Sequence, residues 1–147
     1  IRPPLIYGPG VKGNFVSLIS CVRRGLPLPL GAVTQNRRSL VGLDNLVDLI
    51  LVCATHPKAA NQTFLVSDGE DLSTTELLRR IGGAMRRPVR LPWVPTGIIS
   101  FTAVALGKKL ISQRLLGSLE VDMSKTCELL SWRPPVSVDE GLRRAVE

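Results

Sequence analysis

The sequence has few of the residues that most often bind metals, act as nucleophiles or stack on bases. It contains one histidine, His56, and three cysteines, Cys21, Cys53 and Cys127, which lie far apart and form no C-x-x-C pair. This spacing excludes the common cysteine and histidine metal sets, and it predicts buried, reduced thiols of the kind typical of a cytoplasmic protein. Aromatic residues make up only 4% of the chain. Base-stacking platforms are therefore scarce, and a nucleic-acid partner is not expected.

Long apolar runs and catalytic motifs are also missing. The longest apolar stretch, residues 97–107, is shorter than the roughly 20 residues that a membrane-spanning helix needs. We expect it to form a helix that docks on another part of the protein, and we expect no membrane partner. The sequence contains no G-x-S-x-G, no P-loop and no G-x-G-x-x-G. His56 precedes Pro57 at the end of a predicted helix, where a histidine caps more often than it catalyses. No catalytic residue and no metal ligand is therefore predicted.

Acidic residues are fewer than basic residues. The chain carries 19 lysines and arginines against 12 aspartates and glutamates, a net charge of +7 at pH 7. This balance indicates either a solvated basic surface or an anionic partner such as a phosphorylated small molecule. The basic residues are scattered in pairs, which argues against a nucleic-acid surface. With 147 residues, of which 44% are hydrophobic, the chain is long enough for one domain with a modest core.

The chain begins with an apolar run that leads directly into Tyr7, Gly8, Pro9 and Gly10. This pattern is typical of a buried strand that ends in a turn, because glycine and proline both interrupt strands. A domain rarely starts on an interior strand. We therefore expect the chain to be the C-terminal part of a larger protein.

Predicted helices and short strands alternate along the rest of the chain. Helical spacing of apolar residues follows six starting positions: Asn14, Asp44, Ser73, Pro95, Asp122 and Ser137. The first, second and fifth are predicted N-caps, and the two serines open capping boxes with a glutamate three residues on. The apolar helix from Pro95 is predicted to reach about Leu116. Short strands are predicted at residues 39–43, 63–66 and 89–91, so the pattern favours an α/β or α+β fold.

Two features are suited to binding an anion. Asn14 opens a predicted helix, and helix N-termini attract phosphate through their free N–H groups and the positive end of the dipole. Arg37 and Arg38 lie just before a predicted strand, where a guanidinium could fork onto a diphosphate. An ordinary pair of surface arginines explains the same two residues equally well.

Six segments match a known set of motifs in their order along the chain. They are residues 2–10 (R-P-P-L-I-Y-G-P-G), 13–15 (G-N-F), 37–44 (R-R-S-L-V-G-L-D), 64–69 followed by Ser73, 122–134 (with D-M-S-K and L-L-S-W-R-P), and Gly141 with Leu142. Together they resemble the C-terminal half of the NAD-dependent epimerase/dehydratase family, the extended short-chain dehydrogenases/reductases. The resemblance covers nearly the whole chain, and its specificity comes from the order of the segments.

The resemblance implies an α/β fold that is the C-terminal part of an extended Rossmann-type protein. Residues from about 1 to 12 would end the Rossmann domain, and residues from about 13 to 147 would form a substrate-binding domain. The N-terminal half, which in the family binds NAD and carries a catalytic Tyr-x-x-x-Lys pair, is absent from these residues. The implied substrate is a UDP-sugar or another nucleotide sugar. Homodimers of the family form through helices of that other half.

Residue by residue, the resemblance implies a substrate site and one edge of a cofactor site. Asn14 corresponds to a residue that contacts the substrate diphosphate, and Arg37 corresponds to the arginine that pairs with it. The backbone that receives the uracil base corresponds to four consecutive residues, Leu28, Pro29, Leu30 and Gly31. Pro3 and Pro4 lie in the stretch that passes the nicotinamide. No catalytic residue is implied in this chain.

Two positions depart from the family motifs. Leu5 stands where asparagine is common, and Ser39 stands where an aromatic residue is usual. Because of these two departures, the motifs identify neither the sugar nor the type of reaction. The leading prediction is the nucleotide-sugar-binding part of an NAD-dependent sugar epimerase that is inactive by itself. The alternatives are a reductase or dehydratase of the same family with another substrate, and a binding module without catalysis.

Overall fold

The computed structural model describes residues 1–105 and 116–147. These residues form six helices and three short strands, in the order β1 (Leu5–Tyr7), α1 (Asn14–Arg23), β2 (Arg38–Gly42), α2 (Leu43–Thr55), β3 (Asp71–Leu72), α3 (Thr74–Ala84), α4 (Thr96–Ala105), α5 (Ser124–Leu130) and α6 (Val138–Val146). A short 3-10 helix (Pro57–Ala59) follows α2. The prediction of an α/β fold made mainly of helices with short strands is confirmed.

The sheet has β2 at its centre, with β1 on one side and β3 on the other. β1 runs parallel to β2, with Leu5 opposite Leu40 and Tyr7 opposite Gly42. Parallel neighbours need a crossover connection, and α1 lies within it. β3 pairs with β2 in the antiparallel sense.

Residues of β2 contribute alternately to two apolar clusters, because successive side chains of a strand point to opposite faces. Leu40 belongs to the first cluster, which joins Tyr7 to buried side chains of α1, α3 and α6. Val41 belongs to the second cluster, which joins the buried face of α2 to Phe64 and Trp132. The central strand is therefore covered on both faces, which explains why its sequence is apolar at consecutive positions.

Both predicted capping boxes are confirmed at their serines. The Ser73 hydroxyl accepts the Glu76 N–H at 3.1 Å, and the Ser137 hydroxyl accepts the Glu140 N–H at 3.4 Å. The serine oxygen satisfies an N–H group that has no partner inside the helix, so each helix begins where the sequence predicts.

The caps predicted at Asn14 and Asp44 are wrong by one or two positions. Gly13 caps α1 with a φ of 116°, a value that favours glycine. Gly42, at the end of β2, caps α2. Asn14 is instead the first helical residue of α1, and Asp44 lies in the first turn of α2.

Two predicted strands are reduced or missing. Residues 63–66 contribute only an isolated parallel bridge between Leu65 and Arg2. Residues 89–91 form no strand. β3 is not predicted from the sequence, because two residues are too few to show an alternating pattern.

The apolar helix predicted from Pro95 to about Leu116 is confirmed over α4. Residues 106–115 of this prediction lie outside the described residues. Ile98 and Phe101 on α4 are exposed. Among the residues that the structure describes, no helix has the length and apolar character needed to cross a membrane.

Candidate substrate-binding surface

Four residues of the predicted substrate site, Leu28, Pro29, Leu30 and Gly31, form an irregular stretch between α1 and β2, named here the 28–31 segment. The Leu28 N–H donates to the Arg90 carbonyl at 3.0 Å, and the Gly31 N–H donates to the Pro92 carbonyl at 3.3 Å. The Leu30 N–H donates to the Leu28 carbonyl at 2.7 Å. The segment is thus fastened to residues 90–92 along its backbone.

Every backbone N–H of the 28–31 segment is occupied, since proline has none. The carbonyl groups of Pro29 and Gly31 have no hydrogen-bond partner among the described residues. The Pro29 side chain is exposed, whereas Leu30 is buried in the first apolar cluster. A ligand that meets this edge finds acceptors and no donors, so it must bring its own N–H or O–H group.

Gly31 is the point where the segment approaches its neighbour most closely. A Cβ at this position would collide with the carbonyl oxygen of Leu91 and would lie 3.0 Å from that of Pro92. Glycine is therefore required for the backbone of the segment to reach these carbonyl groups.

Arg37 lies directly before β2, and Arg38 is the first residue of that strand. The Arg37 N–H donates to the Ser118 hydroxyl at 3.1 Å, and the Arg37 carbonyl accepts the Leu119 N–H at 2.8 Å. The exposed guanidinium of Arg37 has no partner in the described part of the chain. That of Arg38 is half-buried, donates to the Gly117 carbonyl at 3.4 Å, and has its pKa lowered by burial. Neither cation faces a carboxylate among these residues, so both suit an anionic ligand.

Asn14 lies at the N-terminus of α1, as predicted, although Gly13 is the cap. This end of a helix offers N–H groups and the positive end of the dipole to an anion. The Asn14 side chain lies outside the described residues, so its contact with a diphosphate stays a prediction. No hydrogen bond between described atoms joins this end of α1 to Arg37 or to the 28–31 segment.

Pro3 and Pro4 connect the Arg2–Leu65 bridge to β1. Pro3 is exposed and Pro4 is half-buried. Because neither has a backbone N–H, they offer a ligand only an apolar edge and carbonyl acceptors. Their contact with a nicotinamide stays a prediction.

A buried polar network that the sequence analysis missed joins β1, β2 and α2. The Asp68 carboxylate accepts the Tyr7 hydroxyl at 2.6 Å, the Gly42 N–H at 2.9 Å and the Asn45 amide at 2.7 Å. Asn45 also bonds the Val136 carbonyl at 2.8 Å and the Val136 N–H at 2.9 Å. In the sequence Asp68 is an ordinary turn residue, and only its place after an apolar run points to burial.

Burial and Asp68 together hold Tyr7 in its protonated form. Burial is the larger cause of a pKa raised far above the usual tyrosine value, and the hydrogen bond to Asp68 raises the pKa further. Tyr7 is the only tyrosine of the chain. A phenol in this state donates to a carboxylate and does not serve as a base.

The two departures from the family motifs are accommodated by packing and hydrogen bonding. Leu5 packs, half-buried, against the first apolar cluster. The buried Ser39 hydroxyl donates to Asp71 at 2.5 Å and accepts the Val121 N–H at 2.8 Å. Where an aromatic residue is usual, this serine ties β2 to β3 and to residue 121.

Several single side chains differ from their predicted surroundings. Asp48, in the middle of α2, accepts the indole N–H of Trp132 at 2.6 Å. The three cysteines, predicted to be buried, are each partly exposed, and none is in a disulfide. Asp122 stands one position before the cap of α5 and accepts the N–H of the first residue of that helix. The prediction that the His56 side chain caps the end of α2 is wrong: its Nδ1 accepts the Lys58 N–H at 3.3 Å and caps the 3-10 helix that follows.

A separate surface cleft of about 440 Å³ lies beside the start of α5. It is lined by Ser67, Gly69, Asp71, Val121, Asp122, Met123, Ser124, Cys127 and Glu128. None of the predicted site residues lines it, and its carboxylates disfavour the anionic ligand that suits Arg37. Within residues 1–105 and 116–147, no group of three ligating side chains is placed to hold a metal ion.

Comparison with known proteins relates the chain to sugar epimerases. No protein-family model matches the chain. UDP-glucose 4-epimerase from Vibrio cholerae is 51% identical over 148 aligned residues, which cover 100% of this chain and 45% of that protein. UDP-glucose 4-epimerase from Mycolicibacterium smegmatis is 28% identical over 152 aligned residues, covering 100% of this chain and 44% of that protein. The chain spans about half the length of these curated relatives.

Solved structures share the fold of this chain. UDP-N-acetylglucosamine 4-epimerase from Bacillus cereus gives a TM-score of 0.72 at 18% identity, over 99% of this chain and 45% of that one. UDP-glucose 4-epimerase from Thermotoga maritima, solved with UDP-glucose, gives a TM-score of 0.65 at 22% identity, over 99% of this chain and 43% of that one. The 51% identity along the whole chain shows that the chain is homologous to the C-terminal part of UDP-glucose 4-epimerase, and the solved epimerases share its fold.

Proposed function

We propose that the chain is the nucleotide-sugar-binding part of an NAD-dependent sugar-nucleotide epimerase of the UDP-glucose 4-epimerase type. The observation that carries the proposal is the 51% identity to the Vibrio cholerae enzyme along the whole chain. The excess of 19 basic over 12 acidic residues agrees with a diphosphate ligand.

In this proposal the base and the diphosphate meet neighbouring parts of one stretch of chain. A carbonyl group of Pro29 or Gly31 accepts the single ring N–H of a uracil base, which suits an edge that offers no donors. The exposed guanidinium of Arg37 pairs with the diphosphate, and the N-terminus of α1 at Asn14 supplies N–H donors to the same group.

The chemical step needs groups that these residues do not supply. Tyr7 is buried and its pKa is raised by that burial, and His56 is engaged in capping. Pro3 and Pro4 lack N–H donors, so they fit a neighbouring contact to NAD and not its main binding site. We therefore propose that another part of the protein holds NAD and the proton-transferring residues, and that this chain alone is inactive.

A thermal-shift titration tests the ligand class. UDP and UDP-glucose are expected to raise the melting temperature of the chain, whereas NAD is not, and dTDP-glucose tests the choice of base. A ligand that binds only the folded state adds about 2.7 kcal/mol of stability at a hundredfold excess over its Kd. No shift with any of these compounds would contradict a nucleotide-sugar site in this chain.

Arg37→Ala tests the diphosphate contact. The affinity for UDP-glucose is expected to fall by about 1.5–3 kcal/mol, the usual contribution of a hydrogen bond to a charged group. Isothermal titration calorimetry on the natural full-length protein measures this loss. Arg79→Ala is the matched control, because Arg79 is also an exposed arginine and lies on α3. A similar loss in both variants would indicate a general effect of net charge and would contradict the assignment of Arg37.

A further inference from the structure

Residues 28–37 contain both parts of the proposed nucleotide site, and α3 holds them in place. Thr75, in the first turn of α3, is 1% exposed. Its hydroxyl lies 2.6 Å from the Leu30 carbonyl oxygen and 2.9 Å from that of Val33, so one proton is shared between two carbonyl groups. The Thr75 N–H donates to the same Val33 carbonyl at 3.2 Å.

A second set of bonds fixes the other end of this stretch. Asn36, the neighbour of Arg37, accepts the Thr74 N–H at 3.1 Å and donates to the Thr74 hydroxyl at 2.9 Å. Both residues of this pair are buried. The first turn of α3 is therefore fastened to the chain between the proposed base contact and Arg37.

The peptide unit between Leu30 and Gly31 is held on both of its edges. Its carbonyl meets the Thr75 hydroxyl, and its N–H donates to the Pro92 carbonyl. Because a peptide unit is planar, two such bonds fix its orientation. The Pro29 carbonyl belongs to the preceding peptide unit, whose own N–H, on Leu30, donates to the Leu28 carbonyl, and the Gly31 carbonyl is separated from the fixed unit only by the φ and ψ angles of Gly31.

We propose that Thr75 is a positioning residue for the nucleotide sugar, which fixes the base-binding 28–31 segment without touching the ligand. This inference rests on the proposed function. Thr75 acts on the orientation of the Pro29 and Gly31 carbonyl groups, so its effect belongs to substrate binding and not to the chemical step.

The variant Thr75→Val removes the hydroxyl and keeps the shape of the side chain. Each of the two carbonyl groups retains a backbone partner: Leu30 keeps the Val33 N–H at 3.2 Å, and Val33 keeps the Thr75 N–H at 3.2 Å. No buried backbone group is orphaned, so the variant is expected to fold. Its specific loss is the hydrogen bond that links the Leu30–Gly31 peptide unit to α3.

Steady-state kinetics and UDP titration on the natural full-length protein test the proposal. We expect Thr75→Val to raise the KM for UDP-glucose and the Kd for UDP about three- to tenfold, with kcat little changed. Thr75→Ser, which restores the hydroxyl, is expected to recover most of the affinity. The matched control is Thr126→Val, because Thr126 is also 1% exposed and its hydroxyl donates to the Leu65 carbonyl at 2.6 Å.

Hydrogen exchange adds a readout that a general loss of stability does not reproduce. Thr75→Val is expected to speed exchange of the Gly31 and Val33 amides, and Thr126→Val is not. An unchanged KM in Thr75→Val, or an equal rise in Thr126→Val, would overturn the proposal while leaving the proposed function intact. A wild-type protein that binds no UDP compound would overturn both, so the two failures are distinguishable.

Discussion

Tyr7 lies where β1, α6 and the turn at Asp68 meet. Its hydroxyl donates to Asp68 at 2.6 Å and lies 3.4 Å from the Val138 carbonyl oxygen, and its ring packs on Phe15 with centroids 5.3 Å apart. The sequence correctly predicts a buried strand that ends at this residue. Its polar partners could not be predicted, because they lie 61 and 131 residues away along the chain, beyond the reach of any local pattern.

The raised pKa of Tyr7 predicts a loss of stability in alkaline solution. The folded protein retains the Tyr7 proton to higher pH than the unfolded chain does. Its contribution to stability is therefore complete below about pH 10, the ordinary tyrosine value, and is lost as the pH rises above it. The expected slope is about 1.4 kcal/mol of unfolding free energy per pH unit.

Urea unfolding of wild type and Tyr7→Phe on both sides of this pH measures the effect. Phenylalanine has no proton to lose, so the difference between the two proteins isolates Tyr7 from other groups that titrate in alkali. Wild type is expected to be the more stable near neutral pH, and its advantage should shrink above about pH 10. A difference that stays constant with pH would show that Tyr7 does not titrate as argued.

At the scale of helices and strands, the predictable boundaries are those made by side chains. Ser73 and Ser137 stand three residues before a glutamate, and this spacing is visible in the sequence. α1 and α2 begin instead at Gly13 and Gly42, and a glycine cap has no partner at a fixed spacing. The conformation of each capping residue depends on the preceding turn or strand, so these starts are predicted less well.

The cap of α3 contributes to stability through one hydrogen bond. Ser73→Ala is expected to lower the free energy of unfolding by about 1 kcal/mol, because the Glu76 N–H loses its acceptor. Urea denaturation measures this change. Ser100→Ala on α4 is the control, since the Ser100 hydroxyl bonds back to the Thr96 carbonyl within the helix, and alanine is the better helix former. The control is expected to be neutral or slightly stabilising, and equal losses in the two variants would argue against capping.

For the whole molecule, the order of the six motif segments made the fold predictable, and it gives chain positions for the candidate site that stay a prediction. The residues that surround those positions could not be predicted from the sequence. The carbonyl groups of Arg90 and Pro92 occupy the N–H groups of the 28–31 segment, and residues 118 and 119 lie against Arg37. These neighbours come from segments distant in sequence, and packing brings them together where no spacing rule applies.

The two tryptophans of the chain report on its exterior and its core. Trp93 is 72% exposed, whereas Trp132 is 5% exposed and donates to Asp48. Acrylamide is therefore expected to quench the fluorescence of Trp93 and to spare Trp132. In Trp93→Phe the remaining emission should resist the quencher until the chain is unfolded in urea, and in Trp132→Phe it should be quenched readily. Strong quenching of native Trp93→Phe would contradict the packing of the second apolar cluster.

α6 approaches β1 as closely as a glycine permits. A Cβ on Gly141 would lie 2.6 Å from the Tyr7 hydroxyl oxygen, and the Val138 carbonyl lies 131 residues from its partner. The ribosome delivers a polypeptide from its amino end, so β1 emerges long before the helix that covers it. The first apolar cluster stays open throughout that interval, and contacts of such long sequence separation form slowly. Until α6 has left the ribosome, the nascent chain lacks the helix that covers Tyr7, so we expect chaperones to bind β1 during this interval.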